Sequence, residues 1–301
     1  MRNYPLTLGS LFDGSGTFPM MAMLSGIVPV WKSEIEPFPI AVTEKRLPFV
    51  KHLGDINNIN GAEIDPVDII TFGSPCTDLS VAGKRQGLNA ERSGLFFQAI
   101  RIIKEMRGAT NGKYPRFAVW ENVTGAFSSN GGEDFRCVLE EFCKIKNADL
   151  SVPKPEKWTK AGEIVGKNFS VAYRTFDAQY WYLPQRRARI YLDSTPEIEY
   201  IVRRLTPQEC ALLQGMPTWW CDDIGIENPT EEQIRWWQNV FETYNKAVGK
   251  TCKPKSRKQL EKWLKDPYSD SAAYKMWGNG IYLGNAWFVL SGIAYYAQNT
   301  A

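Results

Sequence analysis

In the first part of the chain, short apolar runs alternate with amphipathic stretches, and this order narrows the fold more than any other feature. The runs at 6–12, 27–34, 67–72, 116–121, 171–176 and 189–192 predict strands. The stretches at 37–46, 93–106, 133–143 and 206–214 predict helices. Strands alternating with helices give an α/β fold, Rossmann-like, with a mostly parallel sheet covered by helices on both faces. Ligands bind such sheets at the carboxyl ends of the strands. Two stretches break the pattern. Residues 147–168 are polar, with Pro153, Pro155, Gly162 and Gly166, and predict an excursion or linker. Residues 218–275 combine Trp pairs, charges and probable-helix patterning, and predict the core of a second lobe. The apolar stretch 281–298 predicts a helix packed back on the sheet. The expected division is a large domain over 1–195 with 277–301, and a small lobe over 196–276.

The residues just after each strand carry the chemistry. Phe12-Asp13-Gly14-Ser15-Gly16 follows the first strand. Its glycines let the backbone approach a ligand, and a helix start beyond them suits a carboxylate or phosphate. The full G-x-G-x-x-G spacing of a dinucleotide site is absent. Glu34 ends the second strand, where an acid can accept both hydroxyls of a ribose. Asp55 and Ile56 come next, an acceptor for an adenine amino group beside an apolar neighbour for its ring. Singly, each acid reads better as a helix cap or a surface charge. In order, the three fit an adenosine ligand.

After the run 67–72 comes Gly73-Ser74-Pro75-Cys76. Pro75 stiffens the turn that presents the thiol. A cysteine is a strong nucleophile only as thiolate, and Lys84, Arg85 and Arg92 would favour that form. The plain alternative is a buried, inert cysteine. Glu121 ends the next strand on the same edge, and a carboxyl in a closed pocket can hold its proton and donate it. Arg187 and Arg189 are two apart in a predicted strand and share a face.

Cysteine and histidine usage excludes other chemistries. The six cysteines form no C-x-x-C pair and His52 is the single histidine, so no metal site is expected. No Cys-His or Ser-His nucleophile pair is expected either. No apolar run reaches membrane-spanning length. The opening residues lack an apolar signal core, so a cytoplasmic location is expected. The net charge is only +3, yet seven Lys and one Arg fall between Lys246 and Lys265 against the single acid Glu261. Such a run is more often a solvated helical face than a phosphate-binding patch.

The ordered set of motifs resembles the DNA cytosine-5 methyltransferase family, in its short, phage-like, orphan or restriction-modification form. The matching residues are FDGSG at 12–16, Glu34, Asp55, SPC at 74–76, ENV at 121–123, QRRAR at 185–189, RLTPQECALLQGMP at 204–217 and GN at 278–279. The resemblance implies methyl transfer from S-adenosyl-L-methionine to C5 of cytosine in double-stranded DNA, leaving S-adenosyl-L-homocysteine, without a metal. It gives Cys76 the attack on C6 and Glu121 the contact with N3 and the exocyclic amine. Arg189 takes the base carbonyl, and Arg187 is its companion near the backbone. The chemistry requires the cytosine to flip out of the duplex. Cofactor contacts are implied for Phe12, Asp13, Gly14, Ser15, Gly16, Glu34, Ile35, Asp55, Ile56, Pro75, Leu95 and Asn279. DNA contacts are implied for Thr77, Ser80, Lys84, Arg85, Asn122 and Gln185, with Asn122 supporting the active-site loop. A monomer acting on duplex DNA, with a cognate restriction endonuclease as a candidate partner, completes the expectation.

The chain departs from the family pattern in places. Thr77 stands where Gln is usual, and Gly280 where Ser follows Gly-Asn. Only residues 191–203 separate the arginine motif from LTPQEC, where other members place a recognition region. Recognition is therefore expected from 218–275 and from 147–168. Three rivals stand beside this reading. One is a transfer-RNA methylating relative and another an idle DNA-binding relative. The third is an amino-methylating enzyme, which would need an acid or polar residue, Pro-Pro and an aromatic; no such run occurs.

Overall fold

The structure, a computed structural model, describes residues 5–74, 94–176 and 205–299. Among the described residues, β1 (Thr7–Leu11), β2 (Val28–Ser33), β3 (Lys51–His52), β4 (Ile69–Phe72) and β5 (Phe117–Trp120) form one sheet in the order β3-β2-β1-β4-β5. Every adjacent pair is parallel, so all five carboxyl ends lie along one edge. The two central strands show why. β1 and β4 are almost wholly buried, as strands covered on both faces must be. Alternation divides their side chains. Leu8 and Ile69 face α1 (Thr17–Leu24) and α9 (Leu283–Asn299), with Phe18, Met21, Ala286 and Leu290. Leu11, Ile70 and Phe72 face α3 (Leu95–Ala109), with Phe96, Ala99 and Ile103. Gly9 is required by packing: a Cβ there would lie 2.2 Å from the Trp31 ring, which crosses β1.

Most sequence expectations for this half hold. The helix expected at 37–46 is α2 (Pro37–Arg46), begun by Pro37 at its first position, where no N–H is needed. The helix at 133–143 is α4 (Glu133–Lys144). The helix expected at 281–298 is α9, packed on α1 as well as on the sheet. Two expectations fail. Residues 171–176 do not join the parallel sheet, and 147–168 is not wholly irregular. Instead β6 (Ala161–Gly166) and β7 (Phe169–Arg174) pair antiparallel as a separate hairpin. The physical reason is aromatic. Phe127, Phe135, Trp158 and Tyr173 meet edge to face or tilted at 4.7–6.2 Å, which ties the hairpin to α4. The strand expected at 189–192 lies outside the described residues.

The segment after 204 is helical: α5 (Pro207–Leu213), α6 (Glu231–Ala247), α7 (Arg257–Lys265) and α8 (Asp270–Asn279). α5, α6 and α7 each begin with a Thr or Ser cap and a Glu or Gln three residues on, closing reciprocal capping boxes. These helices share apolar clusters with α2. Ile40 and Ala41 pack with Ile234, Trp237, Leu260 and Leu264. Phe38 and Val42 pack with Met216, Trp220, Met276 and Trp277. Among the described residues no helix is long and apolar enough to cross a membrane.

Candidate active site

The ends of β1, β2 and β3 are stapled together. The Asp13 N–H donates to the Ser33 carbonyl at 3.0 Å, and the Ser33 hydroxyl to the Gly54 carbonyl at 2.7 Å. Phe12, Gly14 and Gly16 all have positive φ, which folds the chain sharply between β1 and α1. For Phe12 this conformation is costly and must be held by its surroundings. The structure thus brings together Phe12, Asp13, Gly14, Ser15, Gly16, Glu34, Ile35, Asp55 and Ile56.

Glu34 does more than the sequence suggests. One carboxylate oxygen accepts the Gly14 N–H at 2.9 Å; the other accepts those of Ile35 at 2.8 Å and Glu36 at 2.9 Å. It orders the glycine turn from the neighbouring strand. Burial raises its pKa, opposed by the three backbone donors. Asp55 caps the short 3-10 turn Ile56–Asn58, accepting from the Asn57 N–H at 2.9 Å through one oxygen. Ile56 is buried, and half-buried Phe12 packs against the same cluster. Asp13 is buried. One of its oxygens accepts from Ser10 at 2.6 Å, and the other has no partner among the described residues. Burial pushes its pKa up to about 7, opposed by the Ser10 hydrogen bond and buried Lys32.

These residues fit an adenosine-type cofactor with a charged tail. A Cβ on Gly14 would meet nothing within 4 Å, so the turn opens onto free space. The remaining lone pairs of Glu34 and Asp55 supply acceptors beside it. Leu95 opens α3, half-buried beside the same core. Asn279 closes α8, exposed. It is tied to the LQGMP segment, because Gln214 donates to the Trp277 carbonyl at 3.1 Å and accepts from the Leu283 N–H at 3.0 Å. Among the described residues no group of three or more His, Cys, Asp or Glu could hold a metal ion.

The reactive end lies at β4 and β5. The Glu121 N–H donates to the Phe72 carbonyl at 2.9 Å, continuing the pairing one residue beyond β5. Its carboxyl rests against Gly73: a Cβ there would stand 3.3 Å from Oε2, and Ile281 closes the same spot at 3.7 Å. Burial raises the Glu121 pKa, so the carboxyl keeps its proton to higher pH than a free glutamate. Asn122 donates through its side-chain amide to the Ser74 carbonyl at 3.0 Å, and the Trp120 indole donates to the Ser74 hydroxyl at 3.1 Å. Both contacts fix the chain two residues before Cys76. Pro75, Cys76, Thr77, Ser80, Lys84, Arg85, Gln185, Arg187 and Arg189 lie outside the described residues.

Three contributors escape sequence reasoning. Gly73 makes room for a carboxyl, Trp120 holds Ser74, and Trp220 reaches the glycine turn by donating from its indole to the Ser15 carbonyl at 2.8 Å. Trp220 is buried, yet its polar edge has a separate task. Only a close contact or a long-range hydrogen bond reveals such roles, and neither leaves a local pattern.

A parallel sheet in this strand order, with a glycine turn, an acid and an acid–apolar pair on its first three strand ends, is a Rossmann-like α/β fold. The comparisons narrow the class. Residues 6–146 match the family described as C-5 cytosine-specific DNA methylase. A protein of Escherichia phage P1 named DNA N-6-adenine-methyltransferase is 32% identical over 212 residues, 62% of this chain and 28% of that protein. Type II methyltransferase M.BsuFI of Bacillus subtilis is 29% identical over 191 residues, 64% of this chain and 39% of its own. The orphan methyltransferase M.Rho11sI of Bacillus phage rho11s is 28% identical over 195 residues, 62% of this chain and 32% of its own. The chain is similar to the C-5 cytosine-specific DNA methylase family over residues 6–146. It spans less than two fifths of the length of each of these three relatives.

Proposed function

We propose that this protein transfers the methyl group of S-adenosyl-L-methionine to C5 of cytosine in double-stranded DNA. Glu121 carries the proposal: a carboxyl whose pKa burial raises, set against the β4 exit that leads to Cys76. The cofactor supplies an electrophilic methyl group. The chain's own residues do the rest. Phe12 and Ile56 enclose the adenine, Asp55 accepts from its amino group, and Glu34 accepts from the ribose while ordering Gly14. Cys76, as thiolate, bonds to C6 of an extruded cytosine. Glu121, protonated, hydrogen-bonds N3 as electrons shift into the ring, which makes C5 nucleophilic. After methylation, loss of the C5 proton breaks the C6–sulfur bond and releases the thiolate. Arg189 binds the base carbonyl, Arg187 lies near the backbone, and Asn122 holds the loop through Ser74. Thr77, Ser80, Lys84, Arg85 and Gln185 face the DNA.

Residues 1–195 with 277–301 perform the transfer, and 196–276 contribute to target recognition. The protein acts as a monomer in the cytoplasm of a bacterial or phage-infected cell, alone or with a cognate restriction endonuclease. The name of the phage P1 relative points to adenine N6 instead. The acid-Pro-Pro-aromatic run that such chemistry uses is missing from these 301 residues, where no two prolines adjoin.

The test is incubation with methyl-labelled S-adenosyl-L-methionine and either duplex DNA or transfer RNA, followed by nucleoside analysis. The expected product is labelled 5-methylcytosine in DNA. Label in RNA alone, or in N6-methyladenine, would refute the proposal.

A further inference from the structure

Charge is distributed unevenly along this chain. Eight of its 36 Lys and Arg residues and one of its 33 acids fall between positions 246 and 265, so the remainder carries 28 cations against 32 acids. The excess positive charge of the sequence is concentrated in this one segment.

Its internal arrangement leaves several of these cations uncommitted. Arg257 is held by Glu231 and by Glu261 at 2.8 Å, and Lys265 pairs with Glu227 at 2.9 Å. Lys246, Lys250, Lys253, Lys258 and Lys262 are all exposed and have no ion pair with any described residue. A lysine in the last turn of α6 complements the helix dipole, which accounts for Lys246 alone.

Position separates these lysines into two groups. α6 ends in a Schellman turn. Gly249 has φ +67°, the Lys250 N–H donates to the Asn245 carbonyl at 2.8 Å, and the Gly249 N–H to the Lys246 carbonyl at 3.1 Å. Lys246 and Lys250 are therefore displayed on a fixed backbone. The end of α6 lies near the exit of β2, on the carboxyl edge of the sheet. Tyr244, one turn earlier, receives the Lys275 ammonium at 3.4 Å, and the same ammonium pairs at 2.8 Å with Glu36, just past β2. Lys258 and Lys262 lie instead on α7, whose first residue Arg257 meets Glu231 at the opposite end of α6.

We infer that Lys246 and Lys250, with the following Lys253, form a docking surface for the phosphates of duplex DNA, outside the pocket that holds the target base. The inference rests on the DNA reading above. The sheet supplies the scale. From the end of β2 to the end of β5 is three strand spacings, roughly 14 Å. A duplex advances about 3.4 Å per base pair, so about four base pairs span the distance from the Glu121 end to the β2 end of this edge. The contact is with phosphate, so it is independent of base sequence.

Two double variants with the same charge change test it: Lys246→Glu with Lys250→Glu, and Lys258→Glu with Lys262→Glu. Binding of a 30-base-pair duplex is followed by fluorescence anisotropy across a salt series. Cofactor affinity is followed by calorimetry as a control for folding. The first pair should weaken DNA binding roughly 30-fold and lower the slope of log K against log salt by about 2, close to 0.9 per lost phosphate contact. The second pair should change both much less. Cofactor affinity should hold in both. Lys246→Gln with Lys250→Gln should show a smaller loss in the same direction, and decides the matter if the Glu pair fails to fold. Equal losses from both pairs would reduce the effect to net charge and overturn the inference, as would an unchanged slope. Dependence on these lysines for transfer RNA but not duplex DNA would also overturn it. DNA affinity is read without turnover, so a chain that binds through these lysines yet transfers no methyl group refutes only the activity.

Discussion

The Trp220 indole donates to the Ser15 carbonyl at 2.8 Å, joining positions 205 residues apart inside the protein. The neighbourhood reinforces the link. Arg46, at the end of α2, donates to the carbonyls of Trp219, Trp220 and Asp222, and its guanidinium lies 5.0 Å from the Trp219 ring centre. The segment after LTPQECALLQGMP thus clamps the glycine turn from outside. Trp220→Phe keeps the ring and removes the donor, leaving a buried carbonyl unpaired at a cost of about 1–3 kcal/mol. Part of that cost should appear as loosened cofactor binding. The expected result is a several-fold rise in cofactor Kd by calorimetry, with DNA affinity unchanged.

Glu121 should show its raised pKa in the reaction. In the proposed mechanism the carboxyl donates to N3 and so must be protonated, and burial preserves that proton as pH rises. Glu121→Gln keeps a donor of similar shape but cannot exchange a proton. Turnover should fall by about 100-fold or more, in keeping with the loss of a general acid. Cofactor affinity should stay unchanged. Single-turnover kinetics against pH, in parent and variant, would register both effects.

Asn122 anchors the approach to Cys76 through the Ser74 carbonyl. Asn122→Ala leaves that carbonyl without its side-chain donor, again about 1–3 kcal/mol. The reacting loop loses a fixed end, so kcat should fall more than the DNA Kd rises. Asn122→Asp removes the donor while keeping the shape, and should resemble Asn122→Ala. Activity close to the parent in both would assign Asn122 no positioning role.

Asp13 and His52 should make stability depend on pH in opposite senses. Asp13 titrates in the folded protein at about 7, raised from 3.8 chiefly by burial. Its contribution is fully present below pH 4 and is lost as pH rises through 7, about 4 kcal/mol at most. Asp13→Asn keeps the acceptor for Ser10, so urea unfolding should show the variant gaining on the parent between pH 5 and 8. His52 is lowered to about 4 by burial, with Lys32 adding to the effect. Its contribution is present above pH 6.5 and is lost as pH falls toward 4. As the single histidine, it should give one imidazole titration by NMR, with a midpoint near 4.

Much of this architecture is legible in the sequence because local rules and burial agree. β1, β2, β4 and β5 lie within the runs expected for them, and α2 matches its expected bounds, because apolar periodicity, Pro37 and Arg46 all act locally. β3 is two residues long, too short for any period to register. The β6–β7 hairpin was hidden because its glycines and prolines read as a linker, while its stability comes from Phe135 and Trp158 elsewhere in the chain. At the site, the order of Gly14, Glu34, Asp55 and Glu121 at strand ends was readable from sequence alone. The cross-strand capping by Glu34 was not, because it depends on the register of β1 against β2.

The central claim is that the thiol of Cys76, beyond the anchored Ser74, attacks a flipped cytosine. Duplex DNA carrying 5-fluorocytosine tests it most directly, because fluorine at C5 blocks the proton loss that would release the enzyme. With S-adenosyl-L-methionine, the parent protein should give a denaturation-resistant protein–DNA complex, and Cys76→Ser should give none. An equal yield of the complex from Cys76→Ser, or its absence from a parent protein that methylates ordinary DNA, would contradict the account.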